Sequence, residues 1–348
     1  MEVNLYTVDP LSDRRWDDLV ARHPRASAFH ERSWIEALQR TYGYEPLVWT
    51  SSPPGAPLRD GILLCRVSSW ITGTRWVSLP FTDHCDPLLN DPAELHDLLE
   101  GLRAEAAREP QCRYVELRPL WLMRDENAGF QTSATYCFHE LDLQPSLEQI
   151  FAGFHKNSIQ RKISRAEREG LSYEVGNSEP LMAEFYRLLL MTRRRHQLLP
   201  QPRTWFRNLV RSGGGQVQIR TARKDGNAIA AMLTLQHGTS VVYKYGCSDG
   251  RAHRFGGMPF LFWRLIEESK ASGMTAIDFG RSDLEQQGLI TFKDRLGATR
   301  EPLRYYRHSE RQHGHAELKN WRAGRRLCSI LPDGVLSAAG GALYRHMG

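Results

Sequence analysis

The stretch VQIRTARKDGNAIAAMLTLQHGTSVVYKY, residues 217–245, decides the fold. Segments 217–223, 228–236 and 240–245 are rich in β-branched and apolar residues, and Lys224-Asp-Gly-Asn227 and His237-Gly-Thr239 separate them as tight turns. The reading is an antiparallel meander. Residues 228–235 are apolar at both alternating sets of positions, so the middle strand is expected to be covered on both faces. Downstream, a Gly-rich bend through Gly256-Gly257 leads into a helix over 259–272, with Pro259 suited to its first turn and Gly273 to its stop. A strand over 275–279 follows. Upstream, helices are expected over 157–169 and 180–195. The first half repeats this kind of order: a helix over 33–41, strands over 46–50, 61–67 and 74–78, a helix over 92–108 and a strand over 114–118. In both halves a helix precedes a strand that ends in charge, Tyr114-Val-Glu-Leu-Arg118 and Ile277-Asp-Phe-Gly-Arg281, which hints at an old duplication. The fold class is α/β (α+β), with an N-terminal domain over 1–145, a C-terminal domain over 146–308 and a tail over 309–348.

A chain of 348 residues fits about two domains, and 41% apolar with 25% charged residues is a globular balance that excludes disordered and collagenous classes. The longest apolar stretch, 228–235, is far short of the ~20 residues a membrane span needs, and no signal-peptide core follows the first residues. A cytoplasmic protein is expected. Six scattered cysteines without a CxxC pair indicate neither a disulfide framework nor a zinc ribbon, and reduced, mostly buried thiols are the reading. The net charge of +6 is small for the whole chain but is gathered locally. Lys156, Arg161, Lys162, Arg165 and Arg168 face one acid, Glu167, within thirteen residues, and Arg193-Arg-Arg195 and the group Arg322, Arg325, Arg326 form two further clusters.

On a helical wheel Ile159, Ile163 and Ala166 share one side of the 157–169 helix while Arg161, Lys162, Arg165 and Arg168 occupy another. Asn157 with Gln160 resembles a capping box that would leave Lys156 at the positive helix end. A solvated basic face is the plain reading; phosphate binding is the functional one, because the planar guanidinium holds two oxygens at once. A second candidate region follows the strand that ends in Asp278-Phe-Gly-Arg281-Ser-Asp283, where the next loop, 288–297, delivers Lys293 and Asp294. These two charges also suit a surface couple. No P-loop, GxGxxG, HExxH or GxSxG motif is present, and no metal site is expected; His308, His313 and His315 read as part of a polar tail. Residues 321–348 combine arginines with Leu327, Ile330, Leu331, Val335 and Leu336, a pattern for a peripheral helix on the inner face of the membrane or for packing back on the protein.

Four strings occur together in order: residues 155–170 (HKNSIQRKISRAEREG), 243–249 (YKYGCSD), 277–282 (IDFGRS) and 288–293 (GLITFK). In that order and spacing they resemble FemAB-like proteins of the GNAT acyltransferase superfamily, over roughly residues 20–308; Phe29-His-Glu-Arg-Ser-Trp34 and residues 79–86 (LPFTDHCD) also look like the first domain of such proteins. The resemblance implies two tandem GNAT-like domains, each a twisted mixed sheet flanked by helices, the first serving acceptor recognition and the second catalysis. It implies amide formation by N-acyl transfer with no bound cofactor: the co-substrate is aminoacyl-tRNA and the acceptor an amine of a phosphate-bearing or lipid-linked envelope precursor, the alternative donor being acyl-CoA. In this family the lysine of the Phe-Lys motif stabilises charge on the reacting carbonyl, which falls on Lys293, with Phe292 shaping the acceptor channel. Asp249, Asp278 and Asp283 are the candidate proton acceptors. Lys156, Arg161, Lys162, Arg165, Tyr243, Tyr245 and Arg281, with Asp83 and Asp86 in the first domain, are the candidate substrate contacts. Acetyl-CoA-using members hold pyrophosphate on an [R/Q]xxGx[G/A] loop; here His253 replaces the Arg/Gln and Met258 the last small residue, which tilts the donor toward tRNA. A non-catalytic RNA- or polysaccharide-associated binding protein on the same scaffold is the reading of another class.

Overall fold

The computed structural model describes residues 4–91, 93–121, 123, 127–309 and 331–348. In chain order the elements are β1 (Tyr6–Val8), α1 (Arg14–Arg22), α2 (Arg32–Tyr42), β2 (Glu45–Thr50), β3 (Ile62–Val67), β4 (Thr74–Val77), α3 (Glu94–Ala107), β5 (Cys112–Leu117), β6 (Gln131–Asp142), α4 (Leu147–Gly153), a π turn (Lys156–Gln160), α5 (Arg161–Arg168), β7 (Ser172–Gly176), α6 (Glu179–Arg195) and α7 (Arg203–Gly213). They continue with β8 (Val217–Lys224), β9 (Asn227–His237), β10 (Ser240–Ser248), α8 (Gly257–Ala271), β11 (Ala276–Asp283), α9 (Gln287–Arg295), β12 (Thr299–His308) and α10 (Asp333–Tyr344). The chain forms two compact units. The first holds the residues up to Tyr136, those from Pro302 and Leu343–Gly348; the second runs from Cys137 to Glu301 and takes in α10 up to Ala342.

In the first unit the strand order is β1-β2-β3-β4-β5-β12. Neighbours up to β4 are antiparallel, whereas β4 and β5 are parallel and are bridged by α3. A parallel pair needs such a crossover. The leucines of α3 at 95, 98, 99 and 102 are buried on Trp49, Ile62, Leu64 and Trp76 of that sheet. At ~25 cal/mol per Å² of apolar surface, this face is what keeps the helix on the sheet.

The second unit uses the same device. β11-β10-β9-β8-β7 follow one another, β7 to β10 antiparallel, and β10 and β11 form a parallel pair bridged by α8. The meander is where its sequence predicts. The turn between β8 and β9 places Asp225 and Gly226 at φ 51° and 76°, the geometry of a tight hairpin. Every residue of β9 from Ala228 to Leu235 is buried, with α8 on one side and α6 on the other. The repeated order of helix then parallel strand in the two units matches the self-similarity seen along the chain.

Some expectations are corrected. Residues 288–297 are not a loop: 287–295 form α9, whose i, i+3 pair Ile290 and Lys293 face inward. The helix expected over 157–169 is a π turn running into α5, and its cap is His155 rather than Asn157. His155 Nδ1 accepts from Ser158 N–H at 3.3 Å, while the Gln160 amide donates to the carbonyls of Phe151 and Phe154 at 3.0 and 2.9 Å, so it cannot reach back to Asn157. Helices α1, α4 and α7 and strands β1, β7 and β12 were not foreseen. Cys65, Cys85, Cys137 and Cys247 are buried free thiols and Cys112 is half-buried; burial pushes the Cys85 thiol up to about 12. Residues 310–330, with His313, His315 and Cys328, lie outside the described residues. Within the tail, α10 packs back on the second unit: Leu336 is buried, Ser337 Oγ bonds Tyr186 Oη at 2.8 Å, and Arg194 donates to Leu331 O and Asp333. No helix among the described residues is long and apolar enough to cross a membrane.

Candidate active site

β10 and β11 are paired only at Ser240/Ala276, Val241/Ile277 and Val242/Asp278. Beyond that point the pairing stops, and the two strands leave a fork between their unpaired ends. A bulge at Lys244 shifts the β9 register between Tyr243 and Tyr245, so the two tyrosines, which a regular strand would aim to one side, face opposite ways. Tyr243 turns to α8 and lies tilted against Phe262 (4.7 Å between centroids) and edge-on to Phe279 (6.4 Å). Tyr245 turns to α7, accepts from Trp205 Nε1–H at 3.0 Å and packs on Phe206. Phe292 of α9 meets the same Phe262 at 5.6 Å. Thus the structure brings Tyr243 and Phe292 to one aromatic cluster and sends Tyr245 to another. Burial raises the Tyr243 phenol well above its ordinary range, so it is present as a neutral hydroxyl. A Cβ at Gly246 would overlap that hydroxyl, so a larger residue there would force the Tyr243 ring to move.

At the end of β11 the backbone breaks regularity. Gly280 has φ 67°, a left-handed conformation suited to glycine. Asp278 Oδ1 accepts the Gly280 N–H at 2.5 Å and holds the break in place. Lys293, only 3% exposed, reaches this bend from α9. Its ammonium donates to Gly280 O at 3.0 Å, Arg281 O at 3.1 Å and Ser282 Oγ at 2.8 Å. A buried cation is tolerable when its donors are met in this way. Lys293 is therefore no surface partner of Asp294, whose carboxylate instead lies 3.1 Å from Nε2 of the buried His139 on β6. Burial lowers the His139 pKa, against the raising hydrogen bond to Asp294, and Lys293 lowers it further.

The three candidate proton acceptors differ in their engagement. Asp278 is buried and committed to Gly280. Asp249 caps the turn 250–255, and the hydrogen bonds from Arg251 hold its carboxyl below the usual carboxylate range. Asp283 is solvent-exposed at the end of β11, where Gln286 Nε2 donates to it at 3.0 Å. In the first unit, Asp86 is buried and accepts from Leu120 N–H at 2.6 Å, with burial raising its pKa, and Asp83 O accepts from Tyr305 Oη–H at 2.7 Å.

Basic groups surround the start of α8. α5 buries Ile163 and Ala166 and exposes Arg161, Lys162, Arg165 and Arg168, as its periodicity predicts, and Lys156 is exposed in the π turn before it. Gly256, at φ 76°, sits so close to α5 that a Cβ would lie 2.5 Å from the Lys162 carbonyl oxygen. Across the bend, Arg195 at the end of α6 donates to Ser248 O at 3.0 Å, and Ser248 Oγ bonds His253 Nε2 at 2.9 Å. Burial lowers the His253 pKa, and the charges of Arg195 and Lys162 lower it further, so the three groups share one region. A cationic arc spanning two helices, α5 and the end of α6, is the outcome, with the loop that carries His253 between them. Sequence reading recognised both basic clusters but not that they converge. It also missed Ser282, Gly280 and His139, which carry no local signal of their own.

Residues 153–294 match the family described as acetyltransferase (GNAT) domain. No curated protein sequence matches the chain. Among solved structures, the chain is similar to FemX at 13% identity, covering 88% of this chain and 97% of that one with a TM-score of 0.70. It is similar to L-PGS from Bacillus licheniformis at 14% identity, covering 95% and 98%, with a TM-score of 0.56. A tandem GNAT protein from the clavulanic acid biosynthesis pathway matches at 14% identity over 88% and 98%, with a TM-score of 0.53. At these identities the likeness is one of fold: tandem mixed sheets, each flanked by helices.

Proposed function

We propose that this chain, a FemAB-like acyltransferase of the GNAT superfamily, takes an aminoacyl group from aminoacyl-tRNA and transfers it to an amine of a phosphate-bearing or lipid-linked envelope precursor. The observation that carries the choice of donor is the cationic arc at the start of α8. Lys162 lies exposed on one side of the bend, with Arg161 and Arg165 exposed on the same helix, and Arg195 lies on the other. Polyanion binding draws on such multiple cations. The bend carries His253 and Met258 where the pyrophosphate-binding pattern has Arg/Gln and a small residue, which disfavours close seating of a pyrophosphate. The likeness to a structure described as the C-terminal domain of a putative lysylphosphatidylglycerol synthetase supports an aminoacyl group and a lipid-linked acceptor as the substrate class.

In the proposed reaction the neutral acceptor amine attacks the ester carbonyl of the donor, a C–N bond forms and the C–O bond to the ribose breaks. The leaving hydroxyl gains a proton and the amine loses one. Lys293 supplies positive charge where the tetrahedral oxyanion develops, exchanging one of its three present acceptors for that oxygen. A unit charge pair at ~4 Å is worth about 4 kcal/mol at an effective dielectric of 20, enough for about three powers of ten in rate. Asp283 is the carboxylate left accessible to receive the amine proton, directly or through water. No covalent enzyme intermediate is needed.

A second reading, acyl-CoA as donor, is favoured by one observation, the end of the β10–β11 pairing at Val242/Asp278, which leaves the rest of the two strands unpaired with each other. Incubating the protein with labelled aminoacyl-tRNA and, separately, with acyl-CoA, each with a pool of envelope amines, distinguishes the two. Transfer from charged tRNA, with donor affinity that falls with salt by about 0.7 log unit per log unit for each phosphate neutralised, is the expected result. Transfer only from acyl-CoA overturns the donor assignment. Binding of RNA or polysaccharide without transfer from either donor would make the chain a binding protein.

A further inference from the structure

The turn between β3 and β4, in the first unit, presents an apolar tip to solvent. Trp70 is 88% exposed and Ile71 42% exposed. The tip is nevertheless built, not loose. Ser69 Oγ accepts from the N–H groups of Ile71 and Thr72 at 3.1 and 3.0 Å and bonds His346 Nδ1 at 2.9 Å. The segment that follows α10 is strapped against it. Thr72 Oγ1 donates to His346 O at 3.1 Å, and the buried Arg75 donates to His346 O at 3.0 Å and to Gly348 O at 2.6 Å. Tyr44 Oη–H reaches the carbonyls of Tyr344 and Arg345 at 3.2 Å each. The Trp70 ring stands edge-on to His346 at 5.8 Å, and Met347, beside it in the chain, is 38% exposed. Residues 68–73 and 343–348 contain no acidic side chain. Arg345 is exposed, as is Arg113, whose side chain lies against Gly73 at the base of the turn, and neither forms an ion pair among the described residues.

We propose that this tip is a membrane-interface anchor: Trp70 and Ile71, with Met347, enter the headgroup boundary of an anionic bilayer while Arg113 and Arg345 meet its phosphates. Charge complementarity identifies the occupant, and so does size. A six-residue connection, residues 68–73, is too small to bury the ~800 Å² per partner of a stable protein interface, whereas one indole with an adjacent aliphatic side chain suits the water–hydrocarbon boundary. Basic residues beside it add attraction to anionic lipid. The anchor is independent of the donor and acceptor assignments, because binding to lipid requires neither.

Co-sedimentation of the full chain with vesicles of phosphatidylglycerol and phosphatidylcholine tests it. Wild-type protein is expected to bind, and the double variant Trp70→Ser/Ile71→Ser to bind about tenfold or more weakly with an unchanged melting temperature, since both side chains are exposed. Arg113→Gln and Arg345→Gln are each expected to cost about fivefold. Trp70→Phe should keep binding yet lose fluorescence quenching by brominated lipid, which places that indole in the bilayer. Absence of wild-type binding, equal binding by the double variant, or a wild-type dimer that the double variant abolishes would each overturn the proposal.

Discussion

Lys293→Met removes the ammonium while keeping the aliphatic volume of the side chain. Three acceptors, Gly280 O, Arg281 O and Ser282 Oγ, then face an apolar group in a site where the native residue is 3% exposed. Each lost bond to a charged donor is worth about 1.5–3 kcal/mol, but the three are not additive and the cost of burying the cation is recovered at the same time. A net destabilisation of about 2–4 kcal/mol is expected, or about 5–15 °C in melting temperature at the 2–4 °C per kcal/mol typical of 150–250 residues. Turnover should fall by about 10²–10³, the usual cost of losing one oxyanion donor. The two effects separate when transfer from labelled donor is measured well below the variant's melting temperature, beside Ser282→Ala. That control loses one partner of the ammonium and about 1 kcal/mol of stability but keeps the charge, so its rate should stay within about threefold of wild type. A Lys293→Met enzyme that melts early yet turns over within about threefold of wild type would refute the mechanism and leave Lys293 as a clamp between α9 and β11.

Gly256→Ala places a Cβ 2.5 Å from a backbone oxygen at φ 76°; a loss of about 2–4 kcal/mol in urea unfolding is expected, and a loss below about 1 kcal/mol would show that α5 yields easily there. Arg161→Ala/Arg165→Ala should reduce the slope of log affinity for tRNA against log salt by about 0.7 per contact removed; an unchanged slope would exclude both from the donor site. His139 has its pKa lowered from the ordinary 6.5 by burial, so acid favours the unfolded chain, which binds the proton more readily. Its contribution is intact above pH 6.5 and is lost as pH falls below that value. His139→Gln should therefore flatten the decline of melting temperature between about pH 6.5 and 5; a decline as steep as in wild type would assign it to other histidines.

Much of the second unit was legible because its signals are local. Turn chemistry at Lys224–Asn227 and the apolar run of β9 act within a few residues, and so does the two-sided pattern of α5. Where the chain gave weaker local signals, reading failed. α9 begins at Gln287 without a side-chain cap and contains Gly288 in its first turn, so 288–297 read as a loop, in which a surface couple of Lys293 with Asp294 stayed open beside the catalytic reading. The π turn before α5 arose because Gln160 is drawn to the carbonyls ending α4, a competition that involves residues up to nine positions away.

By itself, the amino-acid sequence determined the β8–β10 meander, helices α2, α3, α6 and α8, the exposed basic face of α5 and the presence of a Phe-Lys pair behind a strand ending in charge. Only the tertiary structure decided what those residues face: the fork between β10 and β11, the left-handed Gly280 whose neighbouring carbonyls receive Lys293, and the meeting of Arg195 and His253 with Lys162. The physical reason is range. Backbone preference and side-chain periodicity act over one or two turns of chain, whereas burial of a cation and convergence of charges depend on packing between elements tens of residues apart, where the cost of an unmet donor is set by what the fold brings to it.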